Sequence, residues 1–147
     1  MQALYTIGFT KKPLRKFLTL LRDAGVDAVI DVRRHNSSQL AGYAKKDDLA
    51  CILELAGIGY QHALIFAPDE DLLAQYKSKA ISWDEYERQF QQGLEQANPI
   101  AEATALLAPY QRPALLCAED EAKKCHRRLV AEWLASKLGN VEIVHLR

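Results

Sequence analysis

The chain has 147 residues, 49% hydrophobic and 26% charged, a size that buries roughly two-thirds of its unfolded surface as one domain, residues 1–147, without a covalent staple. Nineteen basic residues balance nineteen acidic ones and the pI is about 6.9, which argues against a broad nucleic-acid-coating surface and leaves room for a local basic pocket. Three cysteines make no disulfide framework, Met1 to Tyr5 has no leader character, and no apolar run approaches the roughly 20 residues of a membrane span. Reduced thiols in the cytoplasm are the expectation.

Ala3 to Gly8 is a short apolar run closed by glycine and predicts a first strand. Thr10 is placed to cap a helix with Leu14, Phe17, Leu18 and Leu21 on one face and Gly25 as its stop. Val26 to Val32 is almost continuously apolar, as strands of buried parallel sheets are. Residues 33–46 are polar and predict a loop. Asp47 or Asp48 then caps a helix carrying Leu49, Ile52, Leu53 and Ala56, with Gly57 closing it. Ile58 to Ala63 is a weaker third strand, and 66–80 a loop with room for one helix.

Ser82-Trp83-Asp84-Glu85 is a capping box opening a helix with Trp83, Tyr86, Phe90 and Leu94 on one face. Asn98-Pro99 restarts a helix with proline at its first position. Pro113 to Cys117 is the fourth strand. Leu129, Val130, Trp133, Leu134 and Leu138 belong to a long helix ending at Gly139, and Val141 to His145 is the last strand. Alternating strands and helices imply an α/β fold: a mostly parallel five-stranded sheet with helices on both faces, a Rossmann-like three-layer architecture. The simplest doubly wound order is 3-2-1-4-5, with the first and fourth strands as neighbours. Ligands in such folds sit beyond the carboxyl ends of the strands, which here carry Thr6-Ile7-Gly8, Asp31-Val32-Arg33 and Cys117-Ala118-Glu119.

Cys117 closes an apolar strand, and Cys125-His126-Arg127-Arg128 opens the next helix. A helix N-terminus lowers a thiol's pKa and attracts anions. Arg127 or Arg128 supplies a fork of donors for phosphate or carboxylate, and Glu119 is either a general base or an arginine's partner. Asp31, at the end of an apolar strand, needs a partner, which Arg33 or Arg127 can supply. The bland alternative is equally specific: Cys117 a small core residue, Cys125 helix packing, Asp31 and Arg33 a structural ion pair. No metal is expected. The seven residues between the cysteines fit no common ligand spacing, and adjacent Cys125 and His126 point about 100° apart on a helix. His62 and His145 read as strand-end or surface histidines. No Gly-x-Gly-x-x-Gly, phosphate loop or Gly-x-Ser-x-Gly elbow is present, and Lys123 stands where cysteine phosphatases carry arginine.

Tyr5-Thr6-Ile7-Gly8-Phe9, Ile30-Asp31-Val32-Arg33, Leu115-Leu116-Cys117-Ala118-Glu119 and Cys125-His126-Arg127 occur in the order that marks domain-of-unknown-function family 488, which the chain resembles nearly end to end. Gly57-Ile58-Gly59-Tyr60 and Trp83-Asp84-Glu85-Tyr86 add to the likeness. Phe9 and Thr10 stand where relatives commonly have histidine and serine, and the loop after Arg33 lacks the proline frequent there. That family name implies a fold and a signature, not an activity. The chain is also loosely similar to rhodanese-like domains, in which a strand-end cysteine carries sulfur, but it lacks their glycine-and-arginine loop.

The expectation is therefore an uncharacterised protein with an anion site, for phosphate, a nucleotide or a nucleic-acid end, at the strands' C-terminal edge. Asp31, Glu119, Cys117 and His126 are the candidate catalytic residues, and Thr6, Gly8, Arg33, Cys125 and Arg127 the candidate ligand-binding residues. Sulfur transfer at Cys117 or Cys125 and a non-catalytic interaction domain are the alternatives. No cofactor and no membrane partner are expected.

Overall fold

The computed structural model describes residues 1–37 and 42–147; part of the loop expected over 33–46 lies outside the described residues. The strands are β1 (Ala3–Gly8), β2 (Ala28–Asp31), β3 (Gly59–His62), β4 (Pro113–Cys117) and β5 (Glu142–His145). The helices are α1 (Leu14–Asp23), α2 (Lys46–Leu55), α3 (Glu70–Lys77), α4 (Trp83–Ala97), α5 (Ile100–Leu107) and α6 (His126–Leu138). All strand pairings are parallel, and helices cover both faces of the sheet, as the alternating pattern predicts. No helix among the described residues is long and apolar enough to cross a membrane.

Strand alternation divides the core. Tyr5, Ile7, Val29, Ala114 and Leu116 pack with Phe17 and Leu21 of α1 and Leu49 and Leu53 of α2. Leu4, Ile30, Val32, Leu115 and Cys117 meet Tyr86, Phe90 and Leu94 of α4, Ala103 and Leu107 of α5, and Leu129, Val130 and Leu134 of α6. A strand buried on both faces has no polar side to show, which is why β1, β2 and β4 read as continuous apolar runs.

The strand order is β3-β2-β4-β1-β5, which corrects the expected 3-2-1-4-5. β1 and β4 are neighbours in both, but β4 lies between β1 and β2. Its entrance is tied from both sides. Asp27, before β2, accepts from the backbone N–H groups of Gln111 at 2.7 Å and Arg112 at 3.0 Å. Arg112 donates to the Tyr5 hydroxyl on β1 at 2.7 Å, and Gln2 N–H to the Gln111 carbonyl at 2.8 Å. These bonds hold the residues entering β4 in the gap that β1 and β2 leave.

Three helix starts also differ. Thr10 caps nothing: its N–H donates to the Ala118 carbonyl at 3.0 Å, and the helix waits until Pro13. Lys45, not Asp47 or Asp48, precedes α2, and both aspartates sit in its first turn, where the helix dipole favours them. Pro99 is the cap of α5 rather than its first residue, because Asn98 takes the left-handed conformation that ends α4. Ser82 caps α4 as expected, its hydroxyl accepting from Glu85 N–H at 3.1 Å, but the box is not closed, because the Glu85 carboxylate accepts from Arg88 and Gln89 instead.

Candidate functional site

The Asp31-Val32-Arg33 turn leaves β2 at the C-terminal edge of the sheet. Asp31 is fully buried and meets Arg33 side-on: Nε donates to Oδ1 at 2.9 Å and Nη2 to Oδ2 at 2.8 Å. The Tyr60 hydroxyl donates to Oδ2 at 2.5 Å, and Arg33 Nη2 also reaches the Ala44 carbonyl at 2.8 Å. Burial pushes the Asp31 carboxyl up, but the Arg33 bonds and charge and the Tyr60 hydroxyl outweigh it and hold the group below its ordinary value. Two histidines clamp the turn's backbone. His62 Nε2 donates to the Arg33 carbonyl and His126 Nε2 to the Val32 carbonyl, each at 2.7 Å.

That second bond orients the His126 ring. A carbonyl only accepts, so Nε2 carries a proton, and Nδ1 is the ring nitrogen turned toward Cys117. Nδ1 faces Cys117 Sγ at 3.5 Å. The donor atoms of Cys117, Cys125 and His126 all lie within 4.8 Å of one another. The expected divergence of Cys125 and His126 does not occur, because Cys125 is not helical. It is the cap of α6, in extended conformation (φ −138°, ψ 139°), and its side chain turns back beside Cys117. The Cys125 thiol bonds to Cys117 and, against burial, holds it below the ordinary thiol value; the Ala118 N–H and the Arg127 and Arg33 charges add to the effect. The same bond, together with burial, pushes Cys125 well above that value.

The three residues lie at the foot of a cleft of about 220 Å³. Tyr76, Trp83 and Tyr86 form one wall, with Trp83 and Tyr86 stacked at 5.1 Å. Arg33, Arg34, His35, Lys77 and Lys124 contribute basic groups, and Glu119 the one acidic residue among the described lining. Arg33, His35, Lys77 and Ala118 are shared with an adjoining cleft toward Phe9, Lys11 and Tyr43.

The family described as "Domain of unknown function DUF488" matches residues 13–134. The chain belongs to that family. No curated protein and no solved structure matches the chain. The DUF488 match takes in Asp31, Arg33, Cys117, Glu119, Cys125, His126 and Arg127, whereas Thr6, Gly8 and all of β5 fall outside it.

The candidate residues do not all converge. Asp31 lines neither cleft; it acts behind Arg33. Thr6 is buried, with its hydroxyl 2.6 Å from His145 Nδ1. Gly8 lies under the loop after β4, where a Cβ would stand 1.6 Å from the Glu119 carbonyl oxygen, so glycine is required for that loop to cross β1. Arg127 is fully buried. Its Nη1 donates to the Glu119 carbonyl at 2.5 Å and its Nη2 to that of Asp120 at 3.2 Å, bracing the loop after β4, and it does not line the cysteine cleft. It borders another depression, with Lys123, Arg128 and His145.

Sequence reasoning missed Tyr60, His62 and the aromatic wall. Tyr60 and His62 were readable only as members of a weak strand, and their partners lie 29 residues away. The wall was legible as an apolar face, but not as one that leaves α4 beside the β4–α6 loop.

Proposed function

We propose that this protein binds a small anionic ligand with a flat apolar body, a nucleotide being the leading class, in the cleft above Cys117, Cys125 and His126. The observation that carries the reading is the pairing of unlike walls. Trp83, backed by buried Tyr86, and Tyr76 face a rim bearing Arg34, Lys77 and Lys124. Aromatic faces take up a base by stacking, and guanidinium and ammonium groups take up phosphate. Arg33 is preorganised by Asp31, so little side-chain freedom is lost when it meets an anion. The reading places the protein in the reducing cytoplasm, where Cys117 and Cys125 remain thiols.

Sulfur transfer is the second reading, favoured by the 3.5 Å approach of Cys117 Sγ to His126 Nδ1. The Cys117 thiolate would attack the outer sulfur of thiosulfate, forming a persulfide and releasing sulfite. One experiment separates the two. AMP, inorganic phosphate, adenosine and thiosulfate are titrated while tryptophan fluorescence is followed, and the protein is then weighed by mass spectrometry. The first reading expects AMP to bind at least tenfold more tightly than adenosine, and the Lys77→Ala/Lys124→Ala double variant to lose that preference while keeping its circular dichroism. A protein that gains one sulfur atom at Cys117 and ignores AMP would replace it with the second.

A further inference from the structure

We propose that Cys117, Cys125 and His126 form a three-ligand site for a thiophilic divalent cation, zinc above all, with a fourth position open to the cleft. The donors are two sulfurs and one imidazole nitrogen, the set that selects zinc over the hard cations. All three atoms lie within 4.8 Å of one another. The Cys117–His126 separation matches that of a tetrahedral site. With zinc–sulfur bonds near 2.3 Å and zinc–nitrogen bonds near 2.05 Å, a tetrahedral angle sets sulfur and nitrogen roughly 3.6 Å apart. Cys117 Sγ and His126 Nδ1 stand 3.5 Å apart.

The surroundings of His126 follow the same logic. A metal-binding imidazole usually gives its other N–H to a carboxylate or carbonyl, which fixes the tautomer and aims the free lone pair. His126 Nε2 gives its proton to the Val32 carbonyl at 2.7 Å, and that carbonyl belongs to the turn clamped by Asp31, Arg33 and His62. The ligands come from two rigid places, the last residue of β4 and the cap and first residue of α6. The site does not need the long-range spacing of a zinc finger, because the sheet and α6 close the loop between the cysteines. Two thiolates also balance the ion's charge in a buried setting where an unpaired cation would be costly.

Three protein ligands are the number found in catalytic rather than structural zinc sites, which keep one position for water or substrate. All three residues line the cleft, so the fourth position faces the space assigned above to the anion. The metal site stands without that assignment: cobalt binding in phosphate-free buffer reads the metal alone, and AMP binding to metal-free protein reads the anion alone.

The test is a titration of chelator-treated, reduced protein with Co²⁺. One equivalent is expected to produce a thiolate-to-cobalt charge-transfer band and the intense visible bands of four-coordinate cobalt, both abolished by one equivalent of Zn²⁺. Cys117→Ser, Cys125→Ser and His126→Gln should each lose or distort these bands, while Cys51→Ser, on the exposed cysteine, should keep them. If a ligand variant does not fold, thiol labelling of the natural chain decides: saturating Zn²⁺ should leave only Cys51 reactive, against three reactive thiols in its absence under mild denaturation. Weak six-coordinate spectra, no charge-transfer band, or loss of the signal in Cys51→Ser alone would overturn the proposal.

Discussion

At the residue scale, the Asp31–Arg33 pair organises the turn. Breaking a buried pair by removing one partner costs about 3–5 kcal/mol, because the remaining charge is stranded. Here each member also bonds to a third group, Tyr60 for Asp31 and the Ala44 carbonyl for Arg33. The depressed Asp31 pKa makes the pair pH-sensitive in a defined direction. In the unfolded chain the carboxyl takes up a proton near 3.8; in the folded chain it does so only at lower pH. Its stabilising contribution is therefore complete above 3.8 and is lost as pH falls through the folded value. Carboxyl-carbon NMR should find Asp31 still ionised at pH 3.8, with the His62 and His126 ring signals shifting as Asp31 protonates and the turn loosens. A midpoint at or above 3.8 would mean that burial outweighs Arg33.

At the element scale, α4 carries the aromatic wall, and its start fixes where Trp83 stands. The Ser82 hydroxyl satisfies the Glu85 N–H, and Asp84 and Glu85 place negative charge at the positive end of the helix. Ser82→Ala should cost about 1 kcal/mol in urea-unfolding experiments. Buried Tyr86, Phe90 and Leu94 hold the rest of the helix in place, so the damage should stay in the first turn. Amide exchange should quicken at Trp83 to Glu85 and remain unchanged from Phe90 onward. A uniform increase along α4 would show that the cap supports the whole helix. This element was fully legible because both of its signals, the capping box and the helical spacing of apolar residues, are local. Cys125 and His126 show the opposite case. Their convergence depends on the helix starting at His126 rather than at Cys125, and a boundary shift of one residue turns diverging side chains into neighbours.

At the scale of the whole molecule, the position of β4 decides which groups can meet. With β4 central, Cys117 emerges beside Val32, and His126 can bond to the Val32 carbonyl while facing Cys117. In the order 3-2-1-4-5, Gly8 and Phe9 would stand between them, and His126 could not reach the Val32 carbonyl while facing Cys117. The sequence could not choose between these orders. β1, β2 and β4 are all buried runs, β3 and β5 are polar enough for edges, and both arrangements pair β1 with β4. The choice rests on Asp27 and Arg112, whose bonds join residues 85 and 107 positions apart. Native-state hydrogen exchange tells the orders apart. Edge strands open in small fluctuations, whereas the central strand exchanges only when the whole sheet does. The observed order predicts the slowest exchange at Leu115 and Leu116 of β4, with free energies equal to that of global unfolding. β1 should be next, because its outer side is covered only by β5, none of whose residues is fully buried. If Thr6 and Ile7 outlast Leu115 and Leu116, β1 is the central strand, and the geometry that brings His126 to the Val32 carbonyl falls with the strand order.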